Sequence, residues 1–143
     1  MILMSHCQMN FGNRCMKLLL DTHTFIWWDR EPELIPSATL TLMQQDDTQL
    51  IVGIVSLWEI QIKTQIGKLT LRSPLAEIIA QQQAENGIIL LPITLRHILE
   101  LDHLPQHHKD PFDRLLIAQS RCEAATLISR DSVFQQYNCS LIW

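Results

Sequence analysis

Apolar residues come in short continuous runs along this chain, and the runs alternate with stretches of helical spacing. Leu18-Leu19-Leu20 is unbroken and stops at Asp21. Such a run fits a strand buried on both faces. The signature recurs at Leu50-Ile51-Val52-Gly53-Ile54-Val55, at Ile88-Ile89-Leu90-Leu91 and at Thr126-Leu127-Ile128-Ser129. Cys139 to Trp143 reads as a final edge strand. Helical segments fill the gaps. Thr22 to Trp28 follows the first strand without a turn signal, and Glu31 to Pro36, with two prolines, breaks it. Ser37 to Gln45 carries Leu40 and Met43 at i, i+3. Ser56-Leu57-Trp58-Glu59 has capping-box spacing and predicts a helix start at Ser56. Trp58, Ile62 and Ile66 would share one face of that helix, with Gly67 as its stop. Ser73-Pro74 predicts another start, running to Asn86-Gly87. Thr94 to Leu101 is a short helix, and Asp102 to Lys109 is a polar loop with His103, His107 and His108. Asp110-Pro111 opens a helix with an apolar stripe at Phe112, Leu115, Leu116 and Ala118. Ser132 to Tyr137 fits a helical turn.

Strand followed by helix, several times over, predicts an α/β fold. The expected form is a three-layer α/β/α sandwich with a mostly parallel central sheet. Ligands of such sheets sit beyond the carboxyl ends of the strands. Residues just after strands therefore carry the most functional weight.

Composition narrows the picture. At 143 residues, 47% hydrophobic and 18% charged, the chain suits one domain and excludes a disordered or coiled-coil protein. Residues 1–15 hold Arg14 as their only charged side chain and read as an N-terminal extension before a domain at 16–143. They lack the charged-then-apolar order of a signal peptide. No apolar run approaches a membrane span. Cys7, Cys15, Cys122 and Cys139 contain no C-x-x-C pair, which points to reduced thiols in a cytoplasmic protein. The net charge of −4, from 15 acids and 11 bases, argues against a broad basic face for nucleic acid.

The placement of the acids changes that inference. Asp21 ends the first strand, Glu59 lies in the first turn after the second, Asp113 opens the helix after Asp110, and Asp131 follows the fourth strand. Four carboxylates in one cleft cannot all stay ionised without a countercharge. An all-oxygen donor set favours Mg²⁺ or Mn²⁺ over Zn²⁺. Each acid also has an ordinary structural reading. Glu59 fits a capping box, Asp110 an N-cap, Asp113 a helix-dipole partner and Asp131 a turn. Those five acids removed, 10 acids face 11 bases, and the rest of the protein is close to neutral.

Leu19-Leu20-Asp21-Thr22-His23, Ser56-Leu57-Trp58-Glu59-Ile60, Asp110 through Gln119 (DPFDRLLIAQ) and Leu127-Ile128-Ser129-Arg130-Asp131 resemble the motif blocks of the PIN-domain family. The likeness is greatest to its VapC-like branch, the toxin ribonucleases of toxin–antitoxin pairs, and covers Met16 to Trp143. The Asp110–Gln119 block is the most specific. His23 stands where the family often has Asn, Ser129 where it has Thr or similar, and residues 1–15 have no counterpart. The resemblance implies an acidic quartet of Asp21, Glu59, Asp113 and Asp131 as catalytic and metal-binding residues. Asp110, Thr22, Ser129 and Arg114 would be accessory. It implies Mg²⁺- or Mn²⁺-assisted hydrolysis of RNA, a homodimer, and a cognate antitoxin laid over the cleft, with Phe25, Ile26, Leu40 and Met43 as a candidate groove. Core packing explains those four equally well. Lys109, Arg96, Arg114 and Arg130 are candidate phosphate contacts, and Trp27, Trp28 and Trp58 candidate stacking or packing residues. Two other classes stay open. One is a catalytically silent PIN-fold binding module. The other is a different Mg²⁺-dependent phosphohydrolase or phospho-acceptor, which would place a second acid just after Asp21, where this chain has Thr22-His23-Thr24.

Overall fold

Five parallel strands order the molecule, and the computed structural model describes residues 16–106 and 110–143. The expected extension at 1–15 lies outside the described residues, as do His107, His108 and Lys109. The strands are β1 (Met16–Leu20), β2 (Thr48–Gly53), β3 (Ile89–Leu91), β4 (Thr126–Ile128) and β5 (Leu141–Ile142). Their order is β3-β2-β1-β4-β5. β1 is therefore central, pairing Leu18 with Leu50 on one side and with Thr126 on the other. Every pairing is parallel.

The helices are α1 (Thr22–Arg30), α2 (Ser37–Met43), α3 (Ile54–Gln65), α4 (Leu75–Asn86), α5 (Leu95–Glu100) and α6 (Pro111–Glu123). Two cores lie on opposite faces of the sheet, because successive side chains of a strand point opposite ways. Leu18 and Leu20 join Phe25, Ile60 and Ile78 on one face. Leu19 joins Leu116, Ile117 and Phe134 on the other. The three leucines of β1 are fully buried, as a central strand between two helical layers requires.

Several boundaries differ from those the sequence suggests. The run Leu50 to Val55 is not one strand: β2 ends at Gly53, and Ile54 and Val55 are already helical. Register explains this. Leu20 pairs with Val52 and Gly53 with Leu91, and both neighbouring strands stop there. Backbone beyond Gly53 has no ladder partner and satisfies its own polar groups by turning into helix. Ser56 is consequently inside α3, buried, with its hydroxyl unpartnered among the described residues, and caps nothing. The face shared by Trp58 and Ile66 is the outer one. Val55, Leu57 and Ile60 are buried, while Trp58 and Ile66 are each 58% exposed. Pro74, not Ser73, is the N-cap residue of α4.

Other signals hold. Asp110 caps α6 by accepting from the backbone N–H groups of Phe112 and Asp113. Gly87 ends α4 at φ 61°, and Gly67 follows α3 at φ 75°, the left-handed region that glycine tolerates. Thr94 caps α5, with His97 closing the box in place of the usual Glu or Gln. Cys122 and Cys139 are unpaired thiols. No helix among the described residues is long and apolar enough to cross a membrane.

Candidate active site

The carboxyl ends of β1 and β4 lie side by side, and Asp21 leaves β1 at that edge. Its side chain serves two structures at once. As N-cap of α1, its Oδ1 accepts from the Thr24 backbone N–H at 2.8 Å. Its Oδ2 accepts from the Ser129 hydroxyl at 2.5 Å. Ser129 Oγ in turn accepts from the Asp131 backbone N–H at 3.0 Å. This chain of bonds joins Asp21 to Asp131, whose own carboxylate caps the 3₁₀ turn Ser132–Gln136 through Val133 N–H. Asp21 is 6% exposed, whereas Asp131 is exposed.

Burial dominates the ionisation of Asp21. Desolvation pushes its carboxyl above the usual value, against the opposing pull of the Ser129 and Thr24 hydrogen bonds. Asp21 has no ion pair with a lysine or arginine among the described residues.

Glu59 reaches the same neighbourhood from α3. Its Oε1 accepts from the Thr22 hydroxyl at 2.6 Å, one residue beyond Asp21. Its Oε2 pairs with Lys63 Nζ at 2.7 Å. The sequence reading did not single out Lys63, although a Glu followed by Lys at i+4 on a helix is a recognisable pairing signal. Asp113 sits in the first turn of α6, half-buried. Its neighbour Phe112 meets Trp58 of α3 edge-on, ring centroids 5.2 Å apart. Among the described residues, no three His, Cys, Asp or Glu side chains converge tightly enough to form a metal cluster. The structure therefore links Asp21 to Asp131 through Ser129 and sets Glu59 beside them through Thr22. It does not close the four acids into one cage.

The donor chemistry nonetheless suits a hard divalent cation. The groups are all carboxylates or hydroxyls, and Asp21 is a desolvated carboxylate with no Lys or Arg ion pair among the described residues. Lys63 supplies the countercharge for Glu59.

The remaining candidates divide. Arg114 donates to the carbonyls of Pro105 and Leu101, fastening the loop before α6. Arg96 is not at this edge: it donates to the Cys122 carbonyl in the last turn of α6, at the opposite end of that helix. Arg130 stacks its guanidinium 6.0 Å from the Trp27 ring centre. Trp27 also contacts His23 and Trp143, at 5.8 and 5.7 Å between ring centroids. Phe25 and Met43 are core residues rather than an open groove, with Ile26 and Leu40 packed against them. His103 is exposed in the turn after α5.

Comparison with known proteins gives these features a context. A family model described as the PIN domain matches residues 18–138. No curated protein matches the chain. Several solved structures share its fold. VapBC2 from Rickettsia felis, solved with a promoter DNA fragment, is 13% identical with a TM-score of 0.67, covering 89% of this chain and 98% of that one. FitAcB from Neisseria gonorrhoeae is 17% identical with a TM-score of 0.56, covering 88% and 96%. A toxin–antitoxin complex from Klebsiella pneumoniae is 15% identical with a TM-score of 0.58, also covering 88% and 96%.

Proposed function

Since the chain belongs to the PIN domain family, we propose that it is a Mg²⁺- or Mn²⁺-dependent endoribonuclease of the VapC-like kind, the toxin of a toxin–antitoxin pair. The observation that carries this reading is Asp21. It is a carboxylate buried at the carboxyl edge of an all-parallel sheet, held by two hydrogen bonds and without a Lys or Arg ion pair among the described residues. A buried charge without a partner is costly, and its retention at a ligand-binding edge suits a site completed by a bound ion.

Asp21, Glu59, Asp113 and Asp131 are the residues assigned to hold the cation. The chemistry supplied by such an ion is Lewis-acid activation of water and of the phosphodiester. The chain's own residues do the positioning. Ser129 fixes one oxygen of Asp21 and the Thr24 N–H the other, so the carboxylate cannot rotate. Thr22 orients Glu59. Asp110 anchors the first turn of α6 and so places Asp113. RNA is the substrate, read as single strands or loops with accessible backbone. The protein acts in the cytoplasm as a homodimer and is held in check by its antitoxin.

The purified protein should cleave RNA with Mg²⁺ or Mn²⁺ and stop on chelation. Asp21→Asn and Asp113→Asn should each abolish cleavage. Activity that survives both substitutions would sink the assignment. Size-exclusion chromatography with light scattering tests the dimer. Neutralisation by the product of an adjacent small reading frame tests the antitoxin. A second reading, a catalytically silent PIN module, is favoured by the Glu59–Lys63 pair, which gives one of the acids an internal countercharge. Calorimetry separates the two: heat of Mn²⁺ binding that disappears in Asp21→Asn supports the nuclease, and no binding supports the silent module.

A further inference from the structure

Beside the acids, a cavity of about 380 Å³ opens between α1, the second half of α3 and the turn after it. That volume falls in the range of small-ligand pockets, about 300–1,000 Å³. Arg30, Lys63 and Lys68 line it, with Glu31 as the one acid in its wall among the described residues. Three of the chain's 11 lysines and arginines thus face one hollow of a protein whose net charge is −4. His23 and Trp27 supply ring surface to the same wall, packed on each other at 5.8 Å.

The cavity is joined to the acidic edge by covalent and ionic neighbours. His23 is two residues from Asp21 and one from Thr22, which bonds Glu59. Lys63 lines the cavity while its ammonium group rests on Glu59 at 2.7 Å. Lys68 is exposed, and Arg30 is fastened by one nitrogen to the Thr70 carbonyl. Cations for a backbone and rings for a base, side by side, are what single-stranded nucleic acid requires.

We propose that this cavity is the subsite for the single-stranded RNA flanking the scissile bond, with a phosphate against Lys63, Lys68 and Arg30 and a base against His23 and Trp27. The proposal rests on the ribonuclease reading. It adds where the strand runs once it leaves the acids.

The test is binding of a short single-stranded RNA by fluorescence anisotropy, in chelator, to protein carrying Asp21→Asn so that the RNA stays intact. Adding Lys68→Glu should weaken binding about fivefold or more and flatten the salt dependence by about 0.7 in log–log slope, the value for one phosphate contact on a single strand. Lys68→Arg should restore it. His23→Ala should weaken binding with little change in slope. Lys17→Gln, in β1 at the far end of the sheet, should change neither. Affinity unchanged by Lys68→Glu and His23→Ala overturns the subsite. If the unsubstituted protein then still cleaves RNA with Mg²⁺, the nuclease assignment stands alone. Weakened binding without any cleavage by the unsubstituted protein leaves the cavity as a single-strand RNA site and overturns both the nuclease reading and the cavity's place beside a scissile bond. Displacement of the RNA by an acidic peptide at equal or lower concentration, lost in Lys68→Glu, would assign the cavity to a protein partner and overturn the proposal.

Discussion

Helix α1 carries a buried aspartate at each end, and the two are treated in opposite ways. Asp29, in the last turn, has a side chain 5% exposed and meets the Arg72 guanidinium with both oxygens at 2.8 Å. Gln82 adds a third donor at 3.1 Å. Asp21, at the N-cap, is also buried, and among the described residues its hydrogen-bond donors are the Thr24 N–H and the Ser129 hydroxyl, both neutral. Among the described residues, an arginine fork neutralises the carboxylate at one end of the helix and none does so at the other. Fork-to-carboxylate pairing at Asp29 closes a structural contact between α1 and the segment before α4. Asp21 has no such fork among the described residues and lies at the sheet's carboxyl edge. Burial alone does not distinguish the two acids; the arginine partner does.

Substitutions at the two ends should separate these roles. The largest effect belongs to Asp21→Asn, which keeps a capping side chain and should lower RNA cleavage by roughly 10³-fold or more. Its stability signature is distinctive. The Asp21 carboxyl ionises at higher pH folded than unfolded, so its stabilising share is complete below its ordinary value of 3.8 and is lost as pH climbs through the folded value. Without divalent ions, the melting temperature of the native protein should therefore fall relative to Asp21→Asn as pH rises from about 4 toward neutrality. Added Mg²⁺ should raise the melting temperature of the native protein and not that of the variant. A parallel pH dependence in the two proteins would break the comparison.

Arg72→Ala should do the reverse. It strands Asp29 without its cation, so thermal unfolding should come several degrees earlier while cleavage stays within roughly twofold, as for a distant, uncoupled site. Ser129→Ala removes a neutral donor from Asp21. Cleavage should fall about tenfold, matching a hydrogen bond to a charged group worth about 1.5–3 kcal/mol. That bond favours the ionised carboxyl, so its loss should move the acid limb of the pH–rate profile upward. The smallest effect is expected of Ser56→Ala. The hydroxyl is buried in α3 and unpartnered among the described residues, so urea unfolding should show a change between zero and about 1 kcal/mol in the stabilising direction.

Much of this arrangement is legible in the sequence, and the failures have physical causes. Leu18 to Leu20 announces a central strand because only a doubly buried strand lacks alternation. Asp110-Pro111 announces a helix start because cap and proline act locally. Ile54 and Val55 mislead because β-branched residues favour strands wherever a partner exists, and here the neighbouring strands have ended. Ser56 and Glu59 match a capping box in spacing alone, since α3 begins earlier at Ile54. Glu59 instead bonds Thr22, 37 positions away, and no local pattern encodes such a contact. The Asp29–Arg72 pair, 43 positions apart, is hidden for the same reason. Strand ends pick out Asp21 and Asp131. Which acid is paired and which is not becomes visible only when distant segments meet.

The central place of β1 has a consequence for how the protein comes into being. Its partner β4 arrives late, and the Ser129–Asp21 bond spans 108 positions of chain. Parallel pairing over such a separation is among the slower events of folding, because the intervening chain must be organised first. A nascent chain that already carries β1, β2 and α3 still lacks β4. Its Asp21 borders an unfilled strand position and lacks the Ser129 hydrogen bond. Desolvation, the Ser129 clamp and the neighbouring Asp131 all depend on β4 reaching β1. The acidic edge is thus a long-range assembly, whose local geometry is fixed only once β4 has docked beside β1.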